Sequence, residues 1–300
     1  MNVLSLFDGM SCGQIALNRI GIKPKKYYAS ELDKYAIKVT QANYPDTVQL
    51  GDVTKWREWD IDWSSIDLLI GGSPCQGFSF AGKQLAFDDP RSKLFFVYVD
   101  ILNHIRSVNP SVKFMLENVK MKKEYLDVIS EHLGVEPVFI NSALVSAQNR
   151  QRYYWANWEF GQPVDKGIVL ADILEDGFVD RDKSYCIDAN YHKGGNPEQY
   201  FNKSRRQLVF GAARRGRGDE IRKDAKANAL LADGHQSRWI AKEGALYRKL
   251  TPVECERLQT VDDNYTAHVS NTQRYRMLGN GWTVDVIAHI FKGIESAHEN

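Results

Sequence analysis

Long apolar runs are missing from this 300-residue chain: nowhere do about 18 apolar residues follow one another, so no membrane-spanning helix is expected. Cysteine is scarce. Cys12, Cys75, Cys186 and Cys255 lie far apart and form no CxxC pair, which argues against a disulfide framework and a zinc site, and no metal is expected. A reducing, cytoplasmic setting fits that usage. No secretory leader is expected, because Met1-Asn2-Val3-Leu4-Ser5-Leu6-Phe7-Asp8 has no basic stretch and meets an acid at once. Net charge is almost nil at +1, and there is neither an internal repeat nor a low-complexity tract. The near-neutrality hides an asymmetry: residues 181–226 carry 12 Lys and Arg against 6 Asp and Glu, leaving the rest slightly acidic. A polyanion, if bound, should sit there, and a solvated basic loop is the plainer alternative.

What the chain does have is a core-forming composition, 43% hydrophobic, and a regular rhythm over its first 160 residues. Val3–Phe7, Lys26–Ser30, Ile66–Ile70, Val112–Leu116 and Tyr153–Ala156 read as strands; 13–20, 33–43, 92–107 and 122–133 suit helices. Alternation of this kind predicts an α/β fold with a parallel sheet. From about 161 to 247 the texture turns to Gly, Asn, Lys and Arg, with short apolar anchors such as Leu208-Val209-Phe210 and Trp239-Ile240, predicting a smaller lobe of strands and loops. Thr251-Pro252-Val253-Glu254 then opens a helix with a capping-box pattern, and an apolar helix over roughly 282–295 closes the chain.

In parallel sheets ligands gather beyond the carboxyl ends of the strands, so the residues after each apolar run are the ones to weigh. Phe7-Asp8-Gly9-Met10-Ser11-Cys12-Gly13 follows the first strand and opens a helix, where backbone amides can approach a cofactor, although any strand-to-helix turn favours glycine. Glu31 after the second strand is placed to grip ribose hydroxyls, and Asp52, after Gly51, to take an adenine amino group; either could instead cap a helix. Gly71-Gly72-Ser73-Pro74-Cys75-Gln76-Gly77-Phe78-Ser79 puts a cysteine in a glycine-flanked loop rather than in an apolar run. It reads as a nucleophile or as a turn residue. Glu117-Asn118 ends a further strand, and Gln148-Asn149-Arg150-Gln151-Arg152 precedes the seventh, with arginines at i and i+2.

The ordered segments FDGMSCG, SELDKYA, GDV, GGSPCQGFS, LENV, QNRQR, RKLTPVECERLQ and GNGW together closely resemble the DNA (cytosine-5) methyltransferases of bacterial and phage type. The resemblance runs over nearly the whole chain except residues 165–245. It implies a Rossmann-like S-adenosylmethionine-dependent sheet over 1–165, a target-recognition lobe over 166–247, a hinge segment over 248–275 and a C-terminal helix within 276–300 that returns to the catalytic domain. By that resemblance Cys75 adds to C6 of a cytosine flipped out of duplex DNA, and C5 takes the methyl group. Glu117 would hydrogen-bond N3 and the exocyclic amine, Arg152 would hold O2, and Arg150 would order the loop and a nearby phosphate, while Pro74 and Asn118 shape the pocket. Cofactor contacts are expected from Phe7, Asp8, Gly9, Gly13, Glu31, Leu32, Asp52, Val53, Asn280 and Trp282. DNA contacts are expected from Gln76, Ser79, Arg205, Arg206, Arg214, Arg215 and Arg217, the arginines being chosen for their charge.

Several positions depart from the family pattern. The first loop holds less glycine than usual, Leu32 replaces an aromatic residue, and RLQTVDD lacks the Gly-Phe-Pro that commonly follows RLQ. GNGW differs from the common GNSV, but its tryptophan is similar to one in the animal de novo enzymes, where it could stack on the cofactor. The resemblance also implies a monomer that acts on double-stranded DNA, with room for a cognate restriction endonuclease acting separately. Two rivals remain at this level: a transfer-RNA methyltransferase of the same fold, and a non-catalytic nucleic-acid-binding homologue. The sizeable second lobe favours DNA, and intact Cys75, Glu117 and Arg152 favour activity.

Overall fold

The computed structural model describes residues 1–74, 93–211, 240–242 and 245–296. Seven strands form the main sheet: β1 (Asn2–Leu6), β2 (Lys26–Ser30), β3 (Val48–Gln49), β4 (Leu68–Gly71), β5 (Lys113–Val119), β6 (Val138–Asn141) and β7 (Gln151–Ala156). Their order is β3-β2-β1-β4-β5-β7-β6. Pairing is parallel from β3 through β5, while β7 runs antiparallel between β5 and β6. The reversal follows from connection length, since residues 142–150 are too few to hold the crossover helix that a parallel return needs.

Apolar runs become central strands because both faces of a parallel sheet are covered. Successive side chains alternate between two cores. Val3, Ile70 and Met115 pack with α1 (Cys12–Arg19) and α8 (Val284–Ser296) on one face. Leu4, Leu6, Leu69, Phe114 and Leu116 pack with α3 (Lys93–Val108) and α4 (Lys123–Leu133) on the other. Helix α2 (Lys34–Asn43) links β2 to β3 and is capped by Asp33, whose carboxylate accepts the Tyr35 amide.

A second, three-stranded antiparallel sheet places β10 (Ala245–Lys249) between β8 (Leu208–Gly211) and β9 (Ile240–Lys242), with the short helix α5 (Pro197–Lys203) beside it. Its core is small, built on Tyr200, Leu208 and Tyr247. Helix α6 (Pro252–Leu258) has the capping box read from the sequence: Thr251 Oγ1 accepts the Glu254 amide at 3.2 Å, and Glu254 Oε2 accepts the Thr251 amide at 2.8 Å.

The strands and helices expected in the first 160 residues are found within a few residues of their predicted ends. Strand β4 starts later than expected because Ile66 terminates a 3-10 turn, Trp63–Ser65, capped by Asp62. Strands β3 and β6 and helices α5 and α7 (Asn271–Asn280) had no sequence signal. α7 is polar, and its buried residues are Arg274, Tyr275, Met277, Leu278 and Gly279, a run with no clean amphipathic stripe. It spans residue 275, where the segments 248–275 and 276–300 were expected to meet.

Candidate active site

A cavity of about 630 Å³ opens at the carboxyl ends of β1, β2, β4 and β5. Its first wall is the loop after β1, where Phe7, Gly9 and Ser11 all have left-handed backbones, φ 58, 58 and 67°. Such conformations cost energy in non-glycine residues and persist where surrounding contacts enforce them. The contacts here centre on Asp8. Its Oδ1 accepts the Tyr27 hydroxyl at 2.8 Å and its Oδ2 the Ser11 hydroxyl at 2.6 Å. Burial pushes the Asp8 carboxyl up to about 6; hydrogen bonds from Ser11, Ser5 and Tyr27 oppose that rise, and nearby Glu31 adds to it.

Glu31 ties the first loop to the second. Its Oε2 accepts the Gly9 amide at 2.7 Å, and its Oε1 accepts the amides of Leu32 and Asp33 at 2.7 and 2.8 Å. Asp52 realises the capping alternative while still lining the cavity. Its Oδ1 accepts the amide and hydroxyl of Thr54 at 2.9 and 2.8 Å, and the Thr54 amide, foremost, holds this carboxyl below its usual range. Leu32, 70% exposed, offers an apolar surface on the rim, and Val53 lies on the wall. A nucleoside would find carboxylates near its hydroxyls and an apolar flank for its base, so the residues fit S-adenosylmethionine.

The opposite wall comes from the ends of β4 and β5 and the start of β7. Glu117, only 9% exposed, receives Arg152 Nε on Oε1 at 2.8 Å and the Trp282 indole N–H on Oε2 at 3.0 Å. Gly72 makes that geometry possible: a Cβ there would stand 2.8 Å from Glu117 Oε2 and 2.9 Å from Trp282 Nε1. Asn118 donates to the Ser73 hydroxyl at 3.2 Å and so fixes the chain leading to Pro74. Asn280 is exposed on the rim.

Arg150 lines the cavity and is bonded to the backbone of neighbouring segments. Its guanidinium is buried, with the residue 3% exposed, and donates to the carbonyls of Ile187, Gly279 and Gly281 at 3.1, 3.3 and 2.8 Å and to Cys186 Sγ at 3.3 Å. It staples the GNGW segment to the sheet and does not reach outward to a phosphate. Gly13 lies outside the cavity lining, because it packs under Ile70 and the Tyr27 hydroxyl, where a Cβ would collide with both. Arg205 is exposed as a phosphate contact requires, whereas Arg206 is 9% exposed and donates to the Lys193 carbonyl at 3.2 Å. Cys75, Gln76, Ser79, Arg214, Arg215 and Arg217 lie outside the described residues.

Two of the other cysteines are poor nucleophiles. Burial pushes the Cys12 thiol up to about 12 and the Cys255 thiol well above its ordinary range, so neither supplies a thiolate near neutrality. Among the described residues no group of three or more His, Cys, Asp or Glu could hold a metal ion, and no helix is long and apolar enough to cross a membrane. Sequence reasoning had not singled out Met277 and Gly279, which also line the cavity. The signal for Gly279 was its place in GNGW, where a side chain would overlap the Asp188 backbone; nothing marked Met277.

A sheet reversed at β7, with a cavity beyond its strand ends and acids after β1 and β2 and near the end of β5, is the Rossmann-like scaffold of S-adenosylmethionine-dependent methyltransferases. The solved structure of the Entamoeba histolytica methyltransferase EhMeth shares this fold, with a TM-score of 0.70 at 17% identity, covering 100% of this chain and 99% of that one. Within that class, the chain belongs to the C-5 cytosine-specific DNA methylase family, whose model matches residues 1–156 and 162–296. It is 31% identical to the type II methyltransferase M.NlaX of Neisseria lactamica, over 98% of this chain and 96% of that protein. It is 32% identical to M1.ScrFI of Lactococcus lactis subsp. cremoris, over 95% and 75% respectively. These relatives favour the DNA enzyme over the transfer-RNA and non-catalytic alternatives.

Proposed function

We propose that this protein is a DNA (cytosine-5)-methyltransferase that transfers a methyl group to C5 of a cytosine in duplex DNA, with Cys75 as its nucleophile. The observation that carries the reading is the buried Glu117–Arg152 pair at 2.8 Å, on the wall that leads through Pro74 to Cys75. Cytosine C5 is too weak a nucleophile to be methylated directly. Addition of the Cys75 sulfur to C6 turns C5 into an enamine carbon, chemistry that suits a thiolate far better than a hydroxyl. Glu117 holds the proton at N3 and accepts from the exocyclic amine, so the electron pair displaced by sulfur is stabilised; Arg152 holds O2. C5 would take the methyl group as its bond to the sulfonium sulfur of the donor breaks, leaving the thioether S-adenosylhomocysteine; C5 then loses its proton to a base or water, and the Cys75 sulfur departs as the C5–C6 double bond re-forms.

The β1 loop, Glu31 and Asp52 would hold S-adenosylmethionine, which would supply an electrophilic methyl group. Because C6 is inaccessible inside a stacked duplex, the cytosine must be flipped into the cavity. Residues 166–247 serve as the target-recognition lobe, with Arg205, Arg214, Arg215 and Arg217 as candidate phosphate contacts, and Gln76 and Ser79 on the loop that meets the DNA. It acts as a cytoplasmic monomer in this reading, with any cognate endonuclease acting separately.

Duplex DNA carrying 5-fluorocytosine, which blocks loss of the C5 substituent, tests the assignment. The wild type should form a covalent adduct in the presence of S-adenosylmethionine, and Cys75→Ser should not. An adduct that survives Cys75→Ser would overturn the role given to Cys75. Bisulfite sequencing of DNA from expressing cells then reads the target sequence.

A further inference from the structure

We infer that Trp282 is a positioning residue for Glu117, a role that rests on the proposed part of Glu117 in holding the cytosine. The carboxylate is held at both oxygens, by Arg152 on one side and by the neutral indole N–H on the other. A tryptophan has two side-chain torsions and is 9% exposed here, so it offers a rigid donor at small entropic cost.

Its backbone is pinned from three directions. Arg150 and the Gln259 amide both donate to the Gly281 carbonyl, at 2.8 and 3.1 Å. The Cys12 thiol donates to the Trp282 carbonyl at 3.8 Å, and the Thr283 hydroxyl donates to Gln259 Oε1 at 2.9 Å. The absence of a side chain at Gly72 leaves room for donor and acceptor to meet.

Arg150 and Arg152 therefore act on Glu117 by two routes. Arg152 binds it directly, while Arg150 fixes the segment that aims Trp282. With both oxygens held, the carboxylate cannot swing about its last torsion, and its remaining lone pairs keep one direction. Trp282 also lines the cavity shared with Asp8 and Glu31, so a ring expected only to stack on a cofactor joins the cofactor wall to the carboxylate facing the base.

The test uses the full chain, unmethylated genomic duplex DNA and two measurements: single-turnover methyl transfer at saturating S-adenosylmethionine, and the Kd for S-adenosylmethionine by calorimetry. Trp282→Phe keeps a ring and removes the N–H. It should slow transfer about tenfold while Kd stays within about twofold of wild type, since a misdirected reacting group costs rate rather than affinity. Gly72→Ala, which forces donor and acceptor apart, should show the same split, and it decides the matter if Trp282→Phe does not fold. An undiminished rate, or a loss of cofactor affinity that accounts for the whole rate loss, overturns the inference. Glu117→Gln separates the two levels. If it turns over like the wild type, the proposed role of Glu117 falls and this inference with it. If it is slow while Trp282→Phe is not, only the inference falls.

Discussion

Asp8 shows how one side chain couples the cofactor wall to stability. In the unfolded chain its carboxyl titrates near 3.8, and in the folded protein burial raises it to about 6. Between those values the folded state keeps a proton that the unfolded state has released, so this group makes the protein less stable as pH rises through the window. A rise of that size corresponds to about 3 kcal/mol. Asp8→Asn removes the titration. The stability difference between variant and wild type, measured by urea unfolding, should therefore move in the variant's favour by about 2 kcal/mol from pH 4 to pH 6, and level off above once the full value of about 3 kcal/mol is reached. A difference that stays constant across that window would rule the effect out. Nothing in FDGMSCG announces this behaviour, because it depends first on burial, and then on neighbours such as Tyr27 and Glu31 that the β1–β2 pairing brings alongside.

At the scale of elements, one buried arginine ties the small sheet to helix α6. Arg248 on β10 is 1% exposed and donates to both oxygens of Glu254 on α6 at 2.7 Å each, and to Asp176 Oδ1 at 2.6 and 3.0 Å. Glu254 also closes the capping box of α6, so the same carboxylate starts the helix and anchors the strand. Arg248→Ala would leave a fully buried carboxylate without its cation, which should cost about 3–5 kcal/mol in urea unfolding. A loss below about 1 kcal/mol, the worth of an exposed pair, would show that water replaces the arginine. The helix cap was legible in TPVE, since capping depends on residues three apart in sequence. The ion pairs were not, because Asp176 and Arg248 meet only after the intervening chain has folded back.

For the whole molecule, the near-zero net charge and the basic stretch 181–226 predict how it meets DNA. Reversing the charges of Arg214, Arg215 and Arg217 should weaken binding and flatten the dependence of log K on log salt, by about 0.9 for each phosphate that is no longer neutralised. Unchanged affinity and slope would place the DNA path elsewhere. Strands β1, β2, β4, β5 and β7, the helices between them and the strand-end positions of Glu31, Asp52, Glu117 and Arg152 were legible in the sequence alone, because buried strands and amphipathic helices write their periods locally. The ordered motifs did the same for the family. Tertiary structure alone decided that Arg150 is a staple, that Arg206 is buried, that Gly13 packs against Ile70 and Tyr27, and that Trp282 reaches Glu117. Those outcomes join residues as far apart as 117 and 282. No local pattern encodes which buried donor meets which acceptor; that is settled when the sheet and the closing helices pack and each buried polar group must find a partner.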